Sequence, residues 1–394
     1  TTISYNPAGA AGLVAIGTLS GGTGSAPLVI TLNANASVAA VDALLQNITY
    51  GNASQLPTTT TRNLTITVVD GDGTANGGAD TVSTNVNVNI TRVNDAPLFT
   101  ALNGGVVNTT EGAAAVLLDT NATVNDPELG SGFVGAINNM GGAVLTLARV
   151  GGANAQDQFS ASGGTLALAA GNVVLGGNTV GTYDTTALAN GTLQITFASG
   201  TTQADATSVL RQIRYVNTSD APPASVAIGY TINDGNTGSQ GTGGARTGTA
   251  TVTVNIAAVN DPPVAANDSE TTSENTPLAA SVPPATDADG TIANYALVAG
   301  VGAGNGTLSF NSDGTFNFNP GSDFDALSVG ATRDVSFTYT ATDNSGAVSN
   351  IATVTITVTG ANDAPTGADA TYTIAEDGSR AFVGADFGFA DVDV

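Results

Sequence analysis

The sequence predicts an all-β protein made of consecutive domains, and three observations support this fold class. Short runs that alternate β-branched with polar residues, such as 86–90 and 251–256, are typical of half-buried strands. An Asn-Asp pair and a proline follow such runs in segments 93–97, 259–263 and 361–365. Proline has no amide hydrogen to donate and stops a strand, so each segment predicts a domain boundary. The third observation is the content of 50 Gly, which suits short strands joined by turns.

The composition excludes several classes of function. The chain of 394 residues contains no Cys and no His, and all 8 basic residues are arginines. The usual thiolate and imidazole ligands, general bases and lysine nucleophiles are therefore missing, and we predict that the chain is not an enzyme. A net charge of -24 would repel duplex nucleic acid. Because no stretch of about 18 apolar residues is present, we predict no membrane insertion of this segment.

An internal duplication defines the predicted domains. Five identities recur at one constant offset, in the pairs Leu45 and Leu210, Ile48 and Ile213, Tyr50 and Tyr215, Asn52 and Asn217, and Ser54 and Ser219. A short helix is predicted in each copy, at 37–46 and 202–212. Repeats of this kind indicate tandem units. We predict the domains 1–97 (without its opening strands), 98–263 (enlarged), 264–365, and 366–394 as the start of a fourth.

The third unit has the most clearly marked strands. They are predicted at 307–310, 315–319, 335–341 and 353–358, with a hairpin turn at 311–314. In the first unit, strands are predicted at 27–33 and 64–69, and Tyr50 and Tyr215 are expected in the cores. The chain opens on strand-like residues without a signal peptide, which we interpret as a segment of something longer.

The boundaries carry the resemblance to a known family. Asn-Asp-Ala-Pro segments with an acidic turn before them and an Asp-x-Asp pair after them resemble the cadherin-like repeats of large bacterial surface adhesins. The third unit, with Asp313-Gly314-Thr315-Phe316 and Asp343-Asn344-Ser345-Gly346, is similar to the VCBS type. The resemblance implies tandem immunoglobulin/cadherin-like Greek-key β-sandwiches of seven strands, arranged end to end. It also implies calcium ions that rigidify the junctions.

Oxygen ligands recur in a fixed order around each boundary. An early Glu, an acidic pair, an acidic turn and the Asn-Asp segment itself are found in that order in successive units. Asp and Asn before Gly or Pro also serve simply as turn formers, which is the alternative interpretation. Recurrence of all four elements favours metal binding, and ligand sets made only of oxygen suit calcium.

The resemblance implies that each junction takes its Glu and its acidic turn from the upstream unit. The predicted ligands of the first boundary are Asp70, Asp72, Asn94, Asp95, Asp126 and Glu128. Those of the middle boundary are Glu111, Asp234, Asn260, Asp261, Asp287 and Asp289. Those of the last boundary are Glu274, Asp343, Asn362, Asp363, Asp391 and Asp393.

Three functions follow as hypotheses. The first is a calcium-rigidified structural segment of an extracellular bacterial adhesin or surface fibre, whose partners are neighbouring repeats. The second is a subunit of a self-assembling filament, in which 366–394 of one copy completes 1–97 of another by strand exchange. The third is a carbohydrate-binding surface module, for which no site is indicated by the sequence.

Overall fold

The computed structural model describes residues 1–8, 12–71, 73–129 and 139–393, and it separates into two compact units, Thr1–Val93 and Asn94–Val394. Strands dominate the described residues, which contain 25 of them and three short α-helices. The all-β prediction is confirmed. Each unit is described below by itself.

The first unit consists of two small antiparallel sheets and one helix. Its elements are β1 (Thr2–Tyr5), β2 (Val14–Ser20), β3 (Val29–Leu32), α1 (Val38–Gln46), β4 (Arg62–Val69) and β5 (Thr81–Val88). One sheet has the order β1-β2-β3 and the other is the β4-β5 hairpin. Helix α1 begins after Ser37, whose hydroxyl oxygen accepts a hydrogen bond from the Ala40 amide at 3.3 Å. This N-cap satisfies a free amide of the first turn, and the predicted helix is confirmed.

The second unit opens with residues 94–263, which contain most of its strands. The first elements are β6 (Leu98–Thr100), β7 (Gly105–Thr110), β8 (Val116–Leu117), β9 (Thr123–Asn125), β10 (Val144–Arg149), β11 (Asp157–Ser160) and β12 (Leu166–Ala169). They are followed by β13 (Asn172–Leu175), β14 (Asn178–Tyr183), α2 (Thr185–Ala189), β15 (Thr192–Phe197), α3 (Gln203–Leu210), β16 (Arg214–Asn217), β17 (Ser225–Asn233) and β18 (Thr247–Ala257). The predicted second helix corresponds to α3.

One large sheet in this region positions the boundary residues. Its strand order is β12-β13-β14-β15-β10-β17-β18-β7, and smaller sheets β11-β16-β8 and β6-β9 accompany it. Strand β7 runs parallel to β18, so that Thr110 lies opposite Ala257. The β17-β18 hairpin has Asn233 opposite Thr247 at its turn and Ser225 opposite Asn255 at its far end. The turn and the chain exit after Ala257 therefore lie at opposite ends of β18.

Residues 264–365 form a two-layer sandwich of seven strands. The strands are β19 (Asp268–Ser273), β20 (Leu278–Ser281), β21 (Ile292–Ala299), β22 (Thr307–Phe310), β23 (Thr315–Asn319), β24 (Thr332–Asp343) and β25 (Ala352–Thr359). Their orders are β19-β25-β24-β21 in one sheet and β20-β23-β22 in the other. Alternate residues of β25 point into the core, where Val354, Ile356 and Val358 are fully buried. The expected seven-stranded sandwich is confirmed here.

The remaining described residues, up to 393, contain little regular structure. They include a single 3₁₀ turn, Gly384–Phe387, and an antiparallel bridge between Thr366 and Ala390. Nowhere in the described parts of the chain does a helix reach the length and apolarity of a membrane span. The longest, α1, has nine residues.

The two tyrosines of the duplication have different surroundings. Tyr215 is fully buried, and its hydroxyl donates to Asp157 Oδ1 at 2.6 Å. Asp157 also receives two hydrogen bonds of 2.7 Å from Arg149 and one of 2.8 Å from Asn217. Burial would raise the pKa of Asp157, but these hydrogen bonds together hold it below its ordinary value. Tyr50 is 45% exposed, so the prediction that it lies in a core is wrong.

The different surroundings give a matched pair of substitutions. We expect Tyr215→Phe to lower the free energy of unfolding by about 1–3 kcal/mol, because it removes one donor from a buried carboxylate. The same change at the exposed Tyr50 should stay within about 0.5 kcal/mol. Urea denaturation of both variants measures the difference. Equal effects would contradict a structural role of the Asp157 network.

Candidate metal centres

The first boundary is a buried cluster of oxygen atoms within the second unit. Asn94 is 2% exposed, and its Nδ2 donates to Asp234 Oδ2 at 2.6 Å. Asp126 Oδ1 accepts from the amides of Glu128 and Leu129, both at 3.0 Å, which directs the acidic pair inward. Asp126, Glu128 and Asp234 are all at most 2% exposed.

Burial and neighbouring negative charges act together on the carboxylates of this cluster. Burial raises the pKa of Glu128 to about 7, and the negative charges of Asp126 and Asp95 act in the same direction. Burial also raises the pKa of Asp126, and the negative charge of Asp234 adds to this increase. Buried carboxylates beside other negative charges favour the protonated form. A cation at this place would reverse the effect.

The second boundary combines both neighbouring domains. Glu111 follows β7, and its Oε2 accepts from the Val259 amide at 2.9 Å. Asn260 Nδ2 donates to Asp343 Oδ2 at 2.7 Å, and this hydrogen bond lowers the pKa of Asp343. The Asp261 amide donates to Asp289 Oδ1 at 3.3 Å.

The other member of this acidic pair, Asp287, lies beside the turn after β24. A side-chain carbon placed on Gly290 would lie 2.9 Å from both Asp287 Oδ2 and Asn344 Oδ1. The pair Asp287 and Asp289 therefore lies beside the turn that begins at Asp343. Five carboxylates are brought to this boundary from four separate segments.

The third boundary repeats the geometry of the second. Glu274 Oε1 accepts from the Ala361 amide at 2.6 Å, and the Asp363 amide donates to Asp393 Oδ2 at 2.6 Å. Asp391 Oδ1 in turn accepts from the Asp393 amide at 3.0 Å. One carboxylate oxygen from each of Glu274, Asp363 and Asp393 lies within 4.8 Å of the others. Each such pair repels by about 3 kcal/mol at an effective dielectric constant of ~20.

The acidic turns lie at other boundaries than the ones to which the family resemblance assigned them. Asp234 lies with Asn94 rather than with Asn260, and Asp343 lies with Asn260 rather than with Asn362. The reason is strand polarity. The turn precedes the last strand of a repeat and the next boundary follows it, so β18, with eleven residues at about 3.3 Å each, separates them by roughly 36 Å. The order of turn, strand and boundary along the sequence already contained this signal.

The other predicted ligands take the following places. Asp70 lies in the first unit after β4, and its amide donates to the Asp80 carbonyl at 3.0 Å. This contact lies at the start of β5, whereas the chain leaves β5 at its other end, Val88. Asp72 lies outside the described residues. Asn362 Nδ2 donates to the Asp363 carbonyl at 2.8 Å within the last boundary. As metal ligands, all of these residues remain predictions.

The side chains at the boundaries fit a hard cation, as the buried atoms without hydrogen-bond partners indicate. Among the described residues, eleven buried side-chain nitrogen or oxygen atoms lack a hydrogen-bond partner. Eight of them are oxygens of predicted ligands, on Asn94, Glu111, Asp126, Glu128 (both oxygens), Glu274, Asp287 and Asp393. Buried polar atoms are normally paired, so their concentration at the boundaries needs an explanation. Carboxylate and amide oxygens are calcium ligands.

Comparison with known proteins agrees with the resemblance in part of the chain. The family model of the bacterial cadherin-like domain matches residues 260–360. The resemblance to bacterial cadherin-like repeats is therefore confirmed for these residues. A search of curated protein sequences gave no significant match.

Similar solved structures include three cadherin-type extracellular segments. The human desmocollin-1 ectodomain has 15% identity and a TM-score of 0.33, with 78% of this chain and 49% of that chain covered. The protocadherin gamma-B4 extracellular domain has 14% identity and a TM-score of 0.32, with coverages of 85% and 46%. Mouse cadherin-23 EC22–24 has 15% identity and a TM-score of 0.28, with coverages of 70% and 71%. The chain thus spans about half the length of the first two.

The corrected grouping predicts which carboxylates act together. Glu111→Gln and Asp343→Asn should remove the same calcium-binding event, so their effects on affinity should not add. Glu111→Gln and Asp234→Asn belong to different boundaries, and their effects should add within about 0.5 kcal/mol. Calorimetric calcium titration of the single and double variants measures both cycles. Coupling of Glu111 to Asp234 instead of Asp343 would refute the grouping.

Proposed function

We propose that this chain is a calcium-rigidified structural segment of an extracellular bacterial adhesin or surface fibre, without catalytic activity. Its units would be 1–97, 98–263, 264–365 and the start of a fourth at 366–394, with calcium bound between them. The observation that carries the proposal is the set of unpartnered buried oxygens at the boundaries. The bacterial cadherin-like match at 260–360 supports it.

The mechanical role follows from what the chain's own residues do. Proline after each Asn-Asp pair ends the strand ladder, so the boundary itself has no sheet to stiffen it. Glu111 and Glu274 extend from the upstream domain to the boundary backbone, and the acidic pairs extend from the downstream side. A bound calcium ion would supply the positive charge that holds these two sides together. Without it, mutual repulsion of the carboxylates favours separation of the domains.

The residue types also support a non-catalytic, extracellular role. With no His, Cys or Lys in the sequence, general base and nucleophilic chemistry would fall to carboxylates alone. The recurring carboxylates are those assigned to the boundaries. Calcium sites of extracellular modules typically have dissociation constants of about 10⁻⁴–10⁻³ M, which suits the millimolar calcium outside cells.

Calcium should raise thermal stability. Each bound ion in about 2 mM calcium should add about 0.6–2 kcal/mol, which corresponds to an increase of up to a few degrees in melting temperature. Differential scanning calorimetry in calcium, and in EDTA with magnesium present, measures the shift. Glu274→Gln should lose part of this shift. Glu270→Gln, a change on the preceding strand β19 and away from the boundary, should not. Identical melting in both buffers would refute the proposal.

Strand exchange between copies is the second candidate, and one observation favours it. Strands β18 and β25 each pair in parallel with the opening strand of their own domain, β7 and β19. In the described part of the first unit, the equivalent β5 pairs with β4 alone. The opening segment 370–375, which precedes Glu376 as β19 precedes Glu274, lies in no strand.

Equivalent registers predict how two copies would pair. Val354 lies opposite Asp268, and the corresponding residues are Val86 and Ala370. Because the chain has no Cys, Asn87→Cys in one copy and Thr371→Cys in another should form a disulfide under mild oxidation. Thr91→Cys, four residues out of register, is the control. A stable monomer by light scattering, with no cross-link, would eliminate this candidate.

A further inference from the structure

The turn between β17 and β18 differs from its counterpart after β24. It is the glycine-rich loop 235–244, and it contains two buried polar side chains, Asn236 at 6% and Gln240 at 4% exposure. The counterpart, Asp343-Asn344-Ser345-Gly346, is short. The loop therefore adds polar groups to the first boundary that the second boundary does not have.

Asn236 holds the loop in a closed form. Its Oδ1 accepts from the amides of Gly238 at 2.8 Å and Gln240 at 3.2 Å. Its Nδ2 donates to the Gly241 carbonyl at 3.1 Å. Three hydrogen bonds to one buried side chain fix a segment that glycine would otherwise leave mobile.

The closed loop is attached to the boundary residue. The Asn94 amide donates to the Thr242 carbonyl at 2.9 Å, and Asn94 Nδ2 donates to the Gly244 carbonyl at 3.0 Å. At the second boundary, the equivalent Asn260 is exposed and donates to Asp343 and to the Asp261 carbonyl. The loop therefore covers Asn94 at the first boundary, whereas its equivalent at the second boundary, Asn260, has no such cover and is exposed.

Gln240, on the same loop, has a side-chain oxygen without a hydrogen-bond partner. Its Nε2 donates to the main-chain carbonyl of Asp234 at 3.0 Å, which also fixes which amide atom is nitrogen. Its Oε1 is buried and has no hydrogen-bond partner. The oxygen therefore belongs to an amide that is hydrogen-bonded to the main chain of Asp234, and the side chain of Asp234 accepts from Asn94. It shares its unpartnered state with Asn94 Oδ1, Asp126 Oδ2 and both oxygens of Glu128.

We propose that Gln240 Oε1 is an additional ligand of the ion at the first boundary, and that loop 235–244 encloses that ion. The first boundary then releases calcium more slowly than the second, because release requires the hydrogen bonds between Asn94 and the loop to open. This inference rests on the proposed function, since it assumes that calcium binds at the boundaries. It adds an order of release: the second boundary, whose Asn260 is exposed, loosens before the first boundary, whose Asn94 is covered by the loop.

Calcium release kinetics test the inference. The calcium-loaded full chain is mixed with an excess of the fluorescent chelator quin-2 in a stopped-flow instrument. We expect one slow phase and at least one fast phase. Asp126→Asn should remove the amplitude of the slow phase, and Glu111→Gln that of a fast phase. Gln240→Ala should accelerate the slow phase by about tenfold or more.

Two further variants separate a ligand from a purely structural residue. Gln240→Glu keeps an oxygen at the ligand position but loses the Nε2 donor, so it should retain the slow phase. A structural role through the Asp234 carbonyl predicts that the Glu and Ala variants accelerate release alike. Thr237→Ala, an exposed position on the same loop, should change nothing. Melting temperatures in EDTA check that each variant is folded.

The outcomes distinguish this inference from the proposed function. A single release rate for all sites, or a slow phase that Gln240→Ala leaves unchanged, would overturn the inference while calcium binding stands. Equal acceleration by the Ala and Glu variants would overturn it as well. No calcium release from the wild-type chain at all would overturn the proposed function together with it.

Discussion

Carboxylates gathered at the ends of strands without a counter-charge are the constraint on which the rest of the second unit depends. The strands are satisfied internally, since their backbone groups pair and their alternate side chains fill two cores. The boundaries are different, because their buried oxygens lack partners and the burial of Glu128 raises its pKa to about 7. Under the proposed function, a bound cation would offset this unfavourable electrostatics and hold the geometry of the boundaries.

Strand direction determines which carboxylates meet. The opening strand of a domain runs parallel to the last, so Glu111 arrives at the same end as Val259. The turn before the last strand lies at the other end, so Asp234 and Asp343 face the boundary that precedes their domain. At the second boundary, one carboxylate therefore comes from the upstream domain, Glu111, and three come from the downstream domain, Asp287, Asp289 and Asp343.

Much of this arrangement was predictable from local patterns. Alternation located the strands, with 307–310 and 315–319 matching β22 and β23. The helical spacing of apolar residues located α1, and the duplication located α3. Recurrence located the acidic elements. The partner of each acidic turn was assigned wrongly, because sequence distance was considered without strand polarity. The exposure of Tyr50 was not predicted. Its equivalent Tyr215 is hydrogen-bonded to Asp157 in the core, and Asp157 belongs to strands that 1–97 was predicted to lack, so Tyr50 has no such partner strand. The enclosing loop 235–244 has no periodicity, and only its contacts reveal it.

The most direct test of the central claim is small-angle X-ray scattering of the full chain in about 2 mM calcium and in EDTA. If cations hold the boundaries, calcium should increase the maximum dimension and narrow the distribution of shapes. The combined variant Glu111→Gln with Glu274→Gln leaves the first boundary intact and should lose only part of this response to calcium. Identical scattering of the wild-type chain in both buffers would contradict the account and leave the acidic segments as turns.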